Sequence, residues 1–343
     1  MNSDLKALEF EAVRRLLERL TSTPYGAEAA RELTPAPSLA VAREMQAAVS
    51  AARRAVDAYQ TPRIGHIADV RAALRQASQA GAALAVTALG NLRATLLLGE
   101  TLQQFVSQFP DLYRRSDSWR GPPELFESFE RKLSHANRLR DDATAELKAL
   151  NADVNAARAA VQEALMARMR EPDLATAFDE KSRPQWHGTR GVLAIRQNYV
   201  ERVKGVRRGT SGGGRDVLLE PMEVVALNNR LEVLSGQVEA QNQIALRAIT
   251  DQIRQHLPQL NRLIDAIAWI DLAVAAGQLS AAMNASPPAL VDAPLVRLRQ
   301  AYHPHLLLQF RDKRIAAVRA LDISIDAEQP MMVITGPNTG GKT

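Results

Sequence analysis

Two apolar seams at helical spacing, far apart in the chain, restrict the fold of these 343 residues more than any other feature. In the first, Leu147, Leu150, Val154, Ala157, Val161 and Ala164 recur three and four residues apart, and the pattern runs to Glu171-Pro172. In the second, Val224, Leu227, Leu231, Leu234, Val238, Gln241, Ala245 and Ala248 keep the same spacing from just after Glu220-Pro221 to about His256. A 3-4 alternation of this kind is how long helices pair. One helix running out and one returning predicts an antiparallel pair with the intervening segment at its tip, and a plain bundle pair is the bland alternative.

The intervening segment does not read as helix. GVLAI, YVERVKGV and RDVLLE are strand candidates and GTSGGG is a turn. Gly209 to Gly214 could form a backbone nest for a phosphate or simply a hairpin tip. The segment is also where the charge sits. Lys181, Arg183, Arg190, Arg196, Arg202, Lys204, Arg207, Arg208 and Arg215 face a single acid, Glu201, so it carries +8 while the whole chain carries +5. Everything outside therefore sums to −3, and the basicity is one local patch, the footprint of a polyanion partner. Trp186 and Tyr199 are its aromatic residues, which favours contact with phosphates over stacking on unpaired bases. A basic but merely solvated surface is the competing reading.

The flanking regions read as helices. Only 4% of residues are aromatic against 46% hydrophobic, which suits Ala/Leu-rich helices better than sheets. Leu8, Val13, Leu16, Leu17 and Leu20 mark a first helical face; Thr23 caps the next helix with Pro24 at its first position, and Ser38 is a further cap. IADVRAALRQASQAG and LRATLLLGETLQQFVSQF follow, without a fixed-period repeat. From Pro123 to Pro172 the chain reads as one long charged helix. No cysteine is present, which excludes a disulfide scaffold, a Cys-ligated zinc site and a thiol nucleophile. The amphipathic N-terminus lacks a signal-peptide core, and IDAIAWIDLAVAAG carries Asp265 and Asp271, so neither secretion nor a membrane span is expected and a cytoplasmic location is.

Asn284 to Pro294 is a composition break that reads as a linker. After it PLVRLRQAY, PHLLLQF, RIAAV, ALDISID and MMVIT are strand-like runs, as at the start of an α/β domain. The last leads into Gly336-Pro337-Asn338-Thr339-Gly340-Gly341-Lys342-Thr343, a G-x-x-x-x-G-K-T loop. In such a loop the glycines let the backbone curl around the phosphates of ATP, Lys342 meets the β and γ charges, and Thr343 offers a hydroxyl to Mg²⁺.

Taken together, the loop GPNTGGKT after MMVIT, the AYHPHL segment, SGGGRDVLLEPMEVVALNN and LEFEAVRRLLERLTSTPYG resemble the second type of bacterial MutS paralogue, over essentially the whole chain. The resemblance implies a mainly α fold. A helical core domain (1–122) and an outgoing lever helix (123–172) lead to a basic β clamp (173–220). Returning lever and core helices (221–283) then lead to the N-terminal part of a P-loop ATPase domain (284–343). It implies ATP and Mg²⁺ as cofactors, a homodimer, and a clamp on double-stranded or branched DNA that suppresses homologous recombination; the alternative is a ribosome- or rRNA-binding factor acting on stalled ribosomes. The sequence stops at Thr343, before the family's Walker B acids, signature helix and nuclease domain. No catalytic residue is therefore carried over, and a chain ending there is expected to bind ATP weakly and hydrolyse none. The clamp stretch IRQNYVERVKGVRRGTSGGG follows the family pattern only loosely. Phe178-Asp179-Glu180 and His303-Pro304-His305 read as chance and structural elements, not as a mismatch probe or a metal site.

Overall fold

The computed structural model describes residues 8–114, 119–174, 177–178, 182–211 and 216–333. It is mainly helical, with two small antiparallel sheets. The chain divides into two compact units: Met1–Ala72, Asn91–Pro123 and His256–Thr343 form the first, and Ala73–Gly90 with Glu124–Gln255 the second.

The first unit is built around α9 (Leu257–Met283). Against it pack α1 (Phe10–Leu20), α2 (Pro24–Arg31) and α3 (Leu39–Asp57). Thr23 and Ser38 cap α2 and α3 as the sequence predicts, accepting hydrogen bonds from Gly26 N (2.9 Å) and Val41 N (3.3 Å). The face of α3 turned to α9 is Ala48, Ala51, Ala52 and Ala55, all buried, and Gly277 of α9 lies against the backbone of Ala52. Small residues on both helices allow this close approach. Among the described residues α9 alone is long and apolar enough to cross a membrane by length and composition. Its apolar side chains, including Leu263, Ile267 and Ile270, are instead buried in the unit's core. Asp271 in its middle is buried too. Its carboxylate accepts from Thr23 N (2.8 Å), Thr23 Oγ1 (2.7 Å) and Ser22 N (3.0 Å), directly before α2. A side chain on Gly26 would overlap that carboxylate, which is why the third residue of α2 needs to be glycine.

Helices α4 (Arg71–Ala77) and α5 (Val86–Gln108) complete the N-terminal region. The single helix expected from Pro123 to Pro172 is two: α6 (Pro123–Lys132) and α7 (Ala145–Met169). Between them Ser134 N donates to Arg138 O (2.8 Å) and Arg140 N to Lys132 O (2.9 Å), closing a loop in which Asn137 has φ 52°. Asparagine tolerates that left-handed conformation. Thr144 restarts the helix by accepting from Leu147 N (3.1 Å). The returning helix α8 (Met222–Gln255) has the predicted extent, stopped by His256-Leu257-Pro258 where α9 begins. In the second unit α7 and α8 pack side by side, with Arg168 near the end of α7 4.0 Å from Glu223 at the start of α8, so their directions oppose.

A four-stranded antiparallel sheet sits at that end, in the order β1-β2-β4-β3: β1 (Gln185–His187), β2 (Arg190–Arg196), β3 (Gly205–Thr210) and β4 (Asp216–Pro221). Leu193, Ile195, Val217 and Leu219 share a core with Val161 and Leu165 of α7 and Val224 and Leu231 of α8. Two strand expectations change here. YVER, read as strand, is a 3-10 turn (Gln197–Arg202) that buries Val200, and β1 adds a strand the sequence did not signal. Among the described residues β3 pairs with β4 alone, bulging between Arg207 and Gly209, and its other edge is open.

Beyond the linker, β5 (Val296–Ala301) and β6 (Leu321–Ile325) pair antiparallel. PHLLLQF, read as strand, is helix α10 (Pro304–Arg311). Pro304 takes the first helical position, and Arg311 donates to the Ala282 and Met283 carbonyls at the end of α9. RIAAV is irregular, as are residues 331–333 of MMVIT.

Candidate nucleic-acid interface

The basic segment separates into cations that serve the fold and cations that face water. Arg190 and Arg208 are of the first kind. Both donate to Glu220, whose side chain is 0% exposed: Arg190 Nη1 to Oε1 at 2.8 Å and Arg208 Nε to Oε2 at 2.6 Å. Asn228 Nδ2 adds a bond to Oε1 at 2.9 Å. Burial works against ionisation of this carboxylate. The bonds from Asn228, Arg208 and Arg190 outweigh it and hold the group below the usual glutamate range. Arg190 also donates to Asn229 Oδ1 (2.8 Å) and to Glu232 on α8.

Arg183, Arg196, Arg202, Lys204 and Arg207 are exposed. Arg183 Nη1 donates to the adjacent Ser182 O (2.8 Å), and the Arg202 guanidinium lies 4.8 Å from the centre of the Tyr199 ring, within the same turn. Arg196 is directly opposite Asp216 on β4 and Arg207 opposite Leu219, so the two leave opposite faces of the sheet. The exposed cations therefore surround the rim of the sheet; they do not line one face. Lys181 and Arg215 lie outside the described residues, as do residues 212–214 of the Gly209 to Gly214 turn.

Glu220 and Asn228 had no role assigned from sequence. The signal for Glu220 was present, an acid closing an apolar strand just beyond the basic run, but Arg215 bounded the charge window. Elsewhere, His303 Nε2 is 3.7 Å from Glu9 Oε2 and His305 Nε2 pairs with Gln309 at 2.8 Å. Among the described residues no group of three or more His, Cys, Asp or Glu could hold a metal ion. Gly336, Pro337, Asn338, Thr339, Gly340, Gly341, Lys342 and Thr343 are outside the described residues.

No protein-family model matches the chain. Curated proteins do, along its whole length. It is 29% identical over 343 residues to the Endonuclease MutS2 of Pelotomaculum thermopropionicum, an alignment covering 99% of this chain and 42% of that protein. The Endonuclease MutS2 proteins of a Geobacillus species (26%, covering 43% of the relative) and of Synechocystis (28%, covering 42%) align over the same 99%. The chain is similar to MutS2 proteins over 99% of its own length. It spans less than half the length of these MutS2 relatives. The stretches that carried the resemblance, LEP and LNN, coincide with the Glu220 and Asn228 network.

Proposed function

We propose that this chain forms the part of a MutS2-type protein that grips nucleic acid, with double-stranded or branched DNA as the ligand. The observation that carries the reading is the sheet at one end of α7 and α8, with five exposed cations around it and two more neutralised inside. In this reading α7 and α8 are the arm and the sheet is the clamp. Arg196, Arg202, Lys204 and Arg207 meet phosphates, with Arg183, Lys181 and Arg215 as further candidates. A rim of cations suits a partner that wraps past the sheet, because phosphate contacts position a duplex without reading its sequence.

The donor set of Gly336 to Thr343 fits ATP and Mg²⁺: glycine amides for the phosphates, the Lys342 ammonium for their charge and the Thr343 hydroxyl for the ion. Nucleotide binding would supply the gate that opens and closes the clamp, in a homodimer, and suppression of recombination is the activity proposed for the whole protein.

The test is salt-dependent binding of a duplex by the full chain. Affinity should fall steeply with salt, and neutralising Arg202, Lys204 and Arg207 together should reduce the slope of log K against log salt by about 0.9 for each phosphate no longer engaged. An unchanged slope and affinity in the triple variant would sink the proposal. Stronger competition by ribosomes than by duplex or branched DNA would move the function to rRNA.

A further inference from the structure

The register of β2 and β4 leaves a gap that a helix side chain fills. Leu193 is opposite Leu219, so Gly191, two residues earlier, falls opposite Pro221. Proline has no N–H to offer the ladder. At that point Asn228 of α8, fully buried, takes over: Nδ2 donates to Gly191 O and Oδ1 accepts from Gly191 N, both at 2.9 Å. This pair of bonds to one residue's N–H and C=O is what a neighbouring strand would make. The same amide reaches Glu220 at 2.9 Å, and Arg190 extends the connection to Asn229 and Glu232, one helical turn along α8.

We propose that Asn228 is a positioning residue that makes the sheet and α8 one mechanical body, so that the exposed cations keep a fixed bearing relative to the helix. Asn228 is neutral and touches no solvent, so it cannot contribute to polyanion binding directly. The inference rests on the nucleic-acid reading for its effect on affinity, and on the hydrogen-bond geometry alone for the joint itself.

Two readouts on the full chain separate these. Asn228→Ala should speed amide hydrogen exchange across Gly191 to Ile195 at least ten-fold, with helical circular dichroism retained. It should also weaken duplex binding about ten-fold although no charge has changed. Leu174→Ala, in the same core but outside the joint, is the control for simple destabilisation and should leave affinity within two-fold. Equal weakening by both variants, or unaltered exchange at Gly191 in Asn228→Ala, overturns the proposal. Should the Arg202, Lys204 and Arg207 triple variant leave binding intact, the nucleic-acid reading fails and the exchange result alone decides the joint. If Asn228→Ala does not fold, Asn228→Ser serves: its shorter side chain stays polar but cannot bond both the N–H and the C=O of Gly191. Faster exchange at Gly191 is then expected, and wild-type exchange overturns the proposal.

Discussion

Glu220 and Asp271 are both buried carboxylates, yet their surroundings push them in opposite directions. Glu220 is met by two guanidiniums and an amide, and its carboxyl is held below the ordinary 4.5 despite burial. Its stabilising contribution is complete above that unfolded value and is lost as pH falls through the lower, folded one. Among the described residues no cation meets Asp271. Burial raises its carboxyl above 3.8, only partly offset by the bonds from Thr23 and Ser22. Folding then favours the protonated form, so the stability Asp271 contributes rises as pH falls through its folded value and levels off below 3.8. Acid titration followed by the fluorescence of Trp186, in the second unit, and of Trp269, in the first, should show these opposite trends. Glu220→Gln should flatten the first and Asp271→Asn the second. Glu220→Ala should cost about 3 kcal/mol in urea unfolding; this is the low end for breaking a buried pair, because Arg208 stays a third exposed to water. The charge of the basic run was legible in the sequence, but its division was not. Which arginines are neutralised depends on Glu220 and Glu232, which reach Arg190 only once β2, β4 and α8 are assembled.

Helices were easier to read than strands because their caps and periodicity are local. Thr23, Ser38 and the α8 seam sufficed for α2, α3 and α8. The break between α6 and α7 was missed because Ser134, Asn137 and Thr144 are scattered in a charged run that otherwise has helical composition. PHLLLQF was misread since a short apolar run does not distinguish strand from helix, and the deciding interaction is Arg311 on the end of α9. The α3–α9 pair offers a direct check on packing. A Cβ on Gly277 would stand 2.8 Å from both the carbonyl carbon and the Cβ of Ala52. Neither atom belongs to a flexible side chain, so Gly277→Ala should push the helices apart and cost about 2 kcal/mol by thermal or urea unfolding.

Across the whole molecule, the chain passes between its two units after Ala72, Gly90, Pro123 and Gln255. The segments that build each unit are therefore interleaved in sequence, which linear reading of composition could not reveal. The Gly277 packing belongs to one unit and the Glu220 network to the other, with no shared partner. Their effects should add: a double Gly277→Ala, Glu220→Ala variant should lose the sum of the single losses within about 0.5 kcal/mol. A larger deviation in a double-mutant cycle would reveal coupling between the units. The open edge of β3 bears on how many copies behave together. An unpaired strand normally invites another chain to extend the sheet, but here it is bulged at Arg208 and flanked by Lys204 and Arg207. Two such tips brought together repel, and their backbones are out of step for pairing. The protein should therefore remain dispersed in concentrated low-salt solution, and copies crowded onto one polyanion would neighbour each other without fusing into fibres.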